Sequence, residues 1–161
     1  MKISDCMKRK VISVLASTTV QEAARVVVEK HIGTLPVVDD EGVLIGVVRL
    51  ADLLNVFMPD FTGLLNNIDF VNDFGVLEAL QPQDVAKAER LTMRDLMGLP
   101  VAVEEDCGLL RAATTMSKHQ VRDLPVVDEA GRLVGIASWV DVGTGFLSGW
   151  QPAQAGQPEA C

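Results

Sequence analysis

Two stretches of this chain, 89 residues apart, carry nearly the same sequence. The segment LPVVD occurs at 35–39 and again at 124–128, and each copy is followed by a turn with Gly, a Leu-x-Gly triplet and an Asp. An internal repeat predicts two similar units that pack together, because each is too small to bury a core alone. A cleft between two such units would be a natural place for a ligand.

Local signals in the first repeat predict the order β-α-β-β-α. Thr19 and Glu22 have the spacing of a capping box, so we expect a helix to begin there. Residues rich in β-branched side chains predict strands at 34–39 and 43–48, with a turn between them. Leucines at helical spacing from Leu50 predict a short closing helix.

The second repeat predicts the same order of elements. Asp106 can cap its first helix, and strands are expected at 123–128 and 132–137. A closing helix should carry Trp139.

The repeats divide the chain into four parts. We expect the first repeat at 1–58, a helical insertion at 59–90, the second repeat at 91–147 and a disordered tail at 148–161. The insertion could be an extra helical layer over the module, or a surface for oligomers or partners, since clustered aromatics are typical of interface cores. Its region is rich in phenylalanine: Phe57, Phe61, Phe70 and Phe74.

Composition excludes several classes of protein. The net charge of −8 argues against a nucleic-acid binder, which normally presents a basic face. No apolar run is long enough to span a membrane, and the first residues do not form a signal peptide, so we expect a cytoplasmic protein without a membrane partner. Three cysteines without a pairing pattern favour reduced thiols, and their spacing to the two histidines predicts no metal site.

The repeats resemble a tandem pair of cystathionine-β-synthase (CBS) domains, an arrangement called a Bateman module. The matching features are an Asp-x-Met opening, the LPVVD strand, and a Gly followed by an Asp six residues later at 46–52 and 135–141. The resemblance implies an α/β (α+β) fold of two β-α-β-β-α repeats packed with pseudo-two-fold symmetry. It places the opening strands of the repeats at 10–12 and at 100–102. It also implies a homodimer that binds an adenosyl ligand between the repeats.

The resemblance places the better ligand site in the second repeat. Asp141 takes the position of the ribose-binding carboxylate, and Ser138 that of the hydroxyl at the helix start, near phosphate. Arg122 could contact a phosphate, whereas Asp123 would repel one. The implied ligand-binding residues are Pro100, Val101, Ala102, Arg122, Asp123, Leu124, Pro125, Ser138 and Asp141. An alternative is that Ser138 and Asp141 form only a helix capping box, which needs no ligand.

The first repeat departs from the family pattern, because Arg49 stands where Ser or Thr is expected. Arg49 could pair with Asp52 and fill the site, or it could contact a phosphate. We therefore expect two unequal sites. The weaker one would comprise Lys10, Val11, Ile12, Thr34, Leu35, Pro36, Arg49 and Asp52.

Two functions compete at this point. The first is a regulatory module that senses AMP, ADP, ATP or S-adenosylmethionine and requires no cofactor. The second is a structural domain that dimerises or docks on an unidentified protein partner and binds no small molecule. We do not expect an enzyme, because no nucleophile–base pair or metal constellation is evident. The negative net charge favours a mono- or diphosphate, or the cationic S-adenosylmethionine, over a polyphosphate.

Overall fold

Two three-stranded sheets, each accompanied by helices, form the described part of the chain. The structure is a computed structural model that describes residues 1–57 and 82–150. A short 3-10 helix at Ile3–Asp5 opens the chain. The strands and α-helices that follow are, in chain order, β1 (Val14–Leu15), α1 (Val20–Lys30), β2 (Thr34–Val38), β3 (Leu44–Arg49), α2 (Leu50–Asn55), α3 (Pro82–Ala88), α4 (Met93–Leu96), β4 (Val103–Glu104), α5 (Leu109–His119), β5 (Asp123–Val127), β6 (Leu133–Ser138) and α6 (Trp139–Ser148).

The predicted β-α-β-β-α order is confirmed in both repeats. Each sheet has its strands in chain order, β1-β2-β3 and β4-β5-β6. The first pair of each sheet is parallel and joined by a helix, whereas the second pair is antiparallel and joined by a short turn. This topology brings the end of the third strand, and the helix that follows it, beside the start of the second strand.

The helix starts show one correct and one wrong prediction. The Thr19 hydroxyl accepts the Glu22 N–H at 3.2 Å and Glu22 Oε2 accepts the Thr19 N–H at 2.9 Å, which confirms the capping box. Asp106 is not the cap of α5. That helix begins at Leu109 with Gly108 as its N-cap, because the chain first closes a turn in which the Cys107 N–H donates to the Glu104 carbonyl.

The opening strands also begin later than predicted. The ladder between β1 and β2 starts at Val14, and that between β4 and β5 starts at Val103. The segments 10–12 and 100–102 therefore lie just before a strand and outside the ladder. Strands of two residues depend on their partner for definition, which sequence preferences cannot reveal.

The chain divides into two compact units that do not coincide with the two repeats. One unit joins residues 1–11 to the chain from residue 101 onward, and the other contains residues 12–100. Each unit thus combines the body of one repeat with the leading segment of the other, where the leading segments are 1–11 and 91–100. The predicted domain boundaries remain a prediction.

Each leading segment adds a short bridge to the edge of the sheet in its unit. Lys8 exchanges two backbone hydrogen bonds with Ile136 of β6, at 2.9 and 3.0 Å. In the other unit Val47 of β3 exchanges the same two bonds with Gly98, at 3.1 and 3.0 Å. The leading segments are therefore held by backbone geometry as well as by side chains.

A methionine from each leading segment lies against a glycine of the sheet beneath it. A Cβ added at Gly46 would lie 2.6 Å from Sδ of Met97, and one added at Gly135 would overlap the side chain of Met7. Since real Cβ atoms essentially never approach so closely, a side chain at either position would force the methionine to move, and glycine lets the segment pack this closely. This close approach gives the Gly of the repeated Leu-x-Gly triplet a structural reason.

The repeated LPVVD strands form the centres of the two cores. Three consecutive side chains of each strand are buried, at 35–37 and at 124–126, so both faces of each sheet are covered. Ile3 and Met7 of one leading segment are buried in the core of the second repeat, and Met93 of the other is buried in the core of the first repeat. No polar or charged residue in the described ranges is buried.

Residues 58–81 and 151–161, which include most of the predicted insertion and tail, lie outside the described residues. Within the predicted insertion, α3 is helical, and just before it Phe57 packs against the core of the first repeat. Predictions on Phe61, Phe70 and Phe74 fall outside the described residues. None of the helices described is long and apolar enough to cross a bilayer.

Candidate ligand site at the start of α6

Ser138 and Asp141 meet at the junction between β6 and α6. Ser138 is the last residue of β6 and the N-cap of α6. Its hydroxyl oxygen accepts a hydrogen bond from the Asp141 N–H at 3.3 Å. Asp141 Oδ2 accepts the Ser138 N–H at 2.8 Å and the Ser138 hydroxyl at 2.6 Å. The capping box that the sequence allowed is present.

Lys8 brings a third donor to the same oxygen. Its Nζ lies 3.4 Å from Asp141 Oδ2. No donor in the described ranges reaches the other carboxylate oxygen, Oδ1, and the side chain keeps 18% of its surface exposed. A carboxylate has about four acceptor positions, so the cap leaves Asp141 with acceptor capacity on Oδ1.

The electrostatics keep this carboxylate ionised at neutral pH. Burial acts to raise the pKa of Asp141, but the hydrogen bonds from Ser138 and the charge of Lys8 outweigh it and hold the pKa below its ordinary value. The pKa of the nearby Cys6 thiol is raised, chiefly by burial and next by the Asp141 charge. Cys6 is therefore a neutral thiol at pH 7 and adds no charge to the site.

Arg122 and Asp123 lie beside the same junction, at the start of β5. Asp123 is the register partner of Ser138, and the Arg122 carbonyl accepts the Trp139 N–H at 3.2 Å. The Trp139 indole N–H donates to the Val121 carbonyl at 3.1 Å, which fixes the ring next to Arg122. The Arg122 side chain is exposed and makes no ion pair in the part of the chain that the structure describes.

The remaining predicted residues of this site have supporting positions. Leu124 and Pro125 are fully buried, so their side chains hold the strand in the core and offer no exposed surface. Val101 and Ala102 are half-buried in the same unit, and Val101 packs against its core. Pro100 is the last residue of the other unit.

The equivalent carboxylate in the first repeat is engaged on both oxygens by one side chain. Asp52 Oδ2 accepts Nε of Arg49 at 3.1 Å, and Oδ1 accepts its Nη2 at 3.1 Å. The Arg49 backbone N–H adds a bond to Oδ2 at 2.8 Å. This bidentate pair raises the pKa of Arg49 above its ordinary value. Of the two alternatives for Arg49, pairing with Asp52 is the one the structure shows.

The other residues predicted for this weaker site are divided between the units. Thr34 is the register partner of Arg49, and Ile12 packs against the core of the first repeat. Lys10 and Val11 belong to the unit of the second repeat. As in the second repeat, the Leu-Pro pair of the strand is fully buried: Leu35 and Pro36.

Lys8 is the site residue that sequence reasoning missed. It follows the Asp-x-Met of the first repeat, so the sequence assigned it to that repeat, whereas the fold carries it to Asp141 of the second. The alignment of the two repeats contains no sign of this contact, because it pairs Lys8 with a residue that has no side chain. The position that corresponds to Lys8 in the second copy is Gly98, which bridges β3 as Lys8 bridges β6.

Metal ligands do not cluster near this junction. Across residues 1–57 and 82–150, no three His, Cys, Asp or Glu side chains are arranged to hold a metal ion.

The CBS domain family model matches residues 3–59 and 85–142, which covers both repeats. The chain belongs to the CBS-domain family. Among its relatives is the CBS domain-containing protein CBSX1 of Arabidopsis thaliana, a chloroplastic protein, which is 36% identical over 124 residues. That match covers 74% of this CBS pair and 52% of the relative, so the chain spans about half the length of the curated relative.

Solved CBS-pair structures share the fold. CBSX2 from Arabidopsis thaliana is 30% identical, with a TM-score of 0.72 over 94% of this chain and 98% of that one. A structure of CBSX2 in complex with AMP is 31% identical, with a TM-score of 0.68 over 91% of this chain and 96% of that one.

Proposed function

We propose that this CBS pair is a regulatory module that binds an adenine nucleotide or another adenosyl compound, with Asp141 as the acceptor for the ribose hydroxyls. It acts by binding and not by catalysis. The second repeat carries the main site, and the first repeat carries a weaker one.

The observation that carries this proposal is the difference between the two carboxylates. Asp141 presents Oδ1 without a donor from the described residues, whereas both oxygens of Asp52 are engaged by Arg49. A ribose hydroxyl that approaches Asp141 gains a charge-assisted bond without displacing a protein donor. At Asp52 it would compete with a bidentate guanidinium.

Two further facts support an adenosyl ligand. CBSX2, which is 31% identical over 91% of this chain, has been solved in complex with AMP. In addition, Trp139 and Arg122 lie beside Asp141 and supply an apolar ring and a cation at the same junction. A nucleotide can use both, since the flat face of its base stacks on aromatic rings and its phosphate is anionic.

Calorimetric titration of the Asp141→Ala and Asp52→Ala variants tests the assignment. The ligands are adenosine, AMP, ADP, ATP and S-adenosylmethionine. We expect Asp141→Ala to weaken binding at least tenfold, about 1.4 kcal/mol, because charge-assisted bonds to the ribose are lost. Asp52→Ala should have a smaller effect.

Asp95→Ala is the matched control for loss of a helix cap. Asp95 accepts the Thr92 N–H at 2.8 Å and the Thr92 hydroxyl at 2.9 Å, which is the arrangement of Asp141 with Ser138, but it lies in the other unit. This variant should lose stability and keep its affinity. If wild type binds an adenosyl ligand and Asp141→Ala binds it equally well, Asp141 is only a cap.

A second function is favoured by an exposed apolar face on α5 and α6. We propose that a second copy of the chain covers this face and that the CBS pair is a homodimer. Leu110 is 67% exposed and Phe146 is 54% exposed, and they border an open hollow of about 610 Å³. Aromatic and aliphatic side chains exposed together mark an association surface. The same face shows Leu147, Gly149 and Trp150.

Light scattering at micromolar concentration tests this association. Wild type should have twice the mass of one chain, which is 17.3 kDa. The double variant Leu110→Ser, Phe146→Ser should have the mass of one chain, since polar side chains weaken a hydrophobic interface. Val28→Ser is the control, because Val28 is equally exposed, at 70%, on α1. A wild-type mass of 17.3 kDa throughout would rule out the dimer.

A further inference from the structure

We infer that Lys8 recognises the anionic group of the ligand, and that the second repeat therefore selects nucleoside 5′-phosphates over uncharged adenosine and cationic adenosyl sulfonium compounds. This inference rests on the proposed function and specifies its ligand class. It assigns charge selectivity to a residue that belongs, in sequence, to the first repeat.

The backbone of Lys8 is fixed while its charged end is free to move. Two hydrogen bonds to Ile136 hold the main chain at the edge of β6, three residues before the start of α6. The side chain is 65% exposed, and its Nζ lies 3.4 Å from Asp141 Oδ2. The ammonium group can therefore turn from the carboxylate to a nearby anion without any change in the backbone.

The ion pair between Lys8 and Asp141, which Lys8 would give up to contact a phosphate, is weak. Exposed ion pairs are worth about 0–1 kcal/mol because water and salt screen them. A 5′-phosphate carries more negative charge than a carboxylate and offers further acceptor oxygens, so an ammonium group gains from contacting both. Asp141 also keeps its two bonds from Ser138 when Lys8 moves.

Lys8 also offsets a repulsion that would otherwise exclude an anion. Asp141 places its carboxylate beside Ser138, at the position where the anion would approach. Arg122 is on the β5 side of β6, whereas Lys8 bridges the opposite edge of that strand. Lys8 is the cation that already contacts Asp141, the proposed acceptor for the ribose. Its charge therefore reduces the repulsion between that carboxylate and an incoming phosphate.

The first repeat provides an internal comparison. Gly98 occupies the position that corresponds to Lys8, and Arg49 is held by two bonds to Asp52. A phosphate at that site would have to separate a bidentate pair. We therefore expect only the site of the second repeat to distinguish phosphorylated from uncharged ligands.

The test compares AMP, adenosine and S-adenosylmethionine in calorimetric titrations of wild type, Lys8→Met and Lys8→Arg. In wild type, AMP should bind about tenfold more tightly than adenosine, which is the factor expected from one charge-assisted contact. Lys8→Met should lower the ratio of these two affinities severalfold without weakening adenosine, and any preference that remains would come from Arg122. Lys8→Arg should restore the preference, and S-adenosylmethionine should bind Lys8→Met at least as well as wild type.

Arg9→Gln is the matched control. It removes the same charge from the neighbouring exposed residue, which makes no ion pair among the described residues. It should keep the preference for AMP. An unchanged ratio in Lys8→Met, or an equal loss in Arg9→Gln, would overturn the inference and leave the proposed function standing. Absence of binding by any of the three compounds to wild type would overturn both.

Discussion

Asp141 occupies the third position of α6, where its carboxylate caps the helix through Ser138. The cap and the proposed ligand site are compatible because they use different oxygens. Oδ2 accepts the donors of Ser138 and Lys8, while Oδ1 remains for a ligand. A single side chain can therefore stabilise the fold and bind a ribose, and the two interpretations of the Ser-x-x-Asp motif need not exclude each other.

The lowered pKa of Asp141 predicts a specific dependence of stability on pH. Because the folded-state pKa is below the unfolded value of about 3.9, the ionised carboxylate stabilises the fold above about pH 4. This contribution is lost as the pH falls through the folded-state pKa. Urea unfolding should show Asp141→Asn to be about 1 kcal/mol less stable than wild type at neutral pH, as for a lost cap.

The difference in unfolding free energy between wild type and Asp141→Asn should be constant from neutral pH to about pH 5. It should shrink as the pH falls below about 4, through the unfolded-state pKa and on towards the lower folded-state pKa, because wild type then gains its proton as well. Comparing the two proteins at each pH removes the contribution of the other titrating groups. A difference that does not shrink in this way would show that the charge of Asp141 does not stabilise the fold.

Residues close in sequence were predictable, and residues brought together by the fold were not. The Ser138–Asp141 and Arg49–Asp52 pairs are three positions apart, so the motif alone predicted that each could form. The contact between Lys8 and Asp141 depends on an exchange of leading segments between the repeats, in which each segment packs with the other repeat and not with its own. No local pattern encodes that exchange.

At the scale of elements, the two equivalent helices α1 and α5 have the same length but different beginnings. Both contain 11 residues and end in a left-handed residue, His31 or Gln120. α1 is capped by the Thr19 side chain, whereas α5 begins at Gly108 without a side-chain cap. The first N–H groups of α5 thus lack the side-chain acceptor that those of α1 have.

This difference predicts opposite effects for two substitutions. Thr19→Ala should destabilise the chain by about 1 kcal/mol, since it removes the cap of α1. Gly108→Ser should stabilise it by about 0.5–1 kcal/mol, through a new cap and a less flexible unfolded chain. The backbone at Gly108 has φ −68° and ψ 145°, and an added Cβ would meet no atom within 4 Å.

Thermal and urea unfolding of both variants measure these effects. Gly108→Ala is the control that reduces unfolded-state flexibility without adding a cap. If the Ser and Ala variants are equally stable, the hydroxyl does not cap α5 and the gain comes from the unfolded chain alone.

The elements that could be predicted best were those that are long and whose composition differs clearly from that of the flanking residues. The strands of the LPVVD repeat were predicted to within about a residue because β-branched residues are concentrated there. The predicted cap at Asp106 was wrong because a turn at 104–107 separates it from α5. An acidic residue before an apolar helix is a cap only when the backbone begins the helix at the next position.

At the scale of the whole molecule, the exchange of leading segments determines which residues stabilise which repeat. Residues 91–94 are bound to the first repeat, where the Met93 N–H donates to the Thr18 carbonyl at 2.9 Å. Residues 1–8 are bound to the second, where the Ile3 N–H donates to the Cys107 carbonyl at 2.8 Å. Neither repeat, as its sequence bounds define it, contains all of its own core.

Substitutions in the leading segments should therefore destabilise the repeat that is distant in sequence. Ile3 and Met93 are both fully buried, at 0% exposure. Replacing either by Ala should cost about 2–5 kcal/mol of unfolding free energy, the range for large aliphatic side chains in a core. Native-state amide exchange locates the effect, because it reports the stability of each sheet separately.

In Ile3→Ala we expect faster exchange in β5 and β6, with β2 and β3 nearly unchanged, although Ile3 belongs to the first repeat in sequence. Met93→Ala should show the reverse, because Met93 packs in the core that contains Val37 and Val48. Val28→Ala, at an exposed position on α1, should change neither sheet. If each variant instead weakens the sheet of its own repeat, the leading segments do not exchange as the structure shows. The selectivity assigned to Lys8 would then lose its basis, because Lys8 reaches Asp141 only through that exchange.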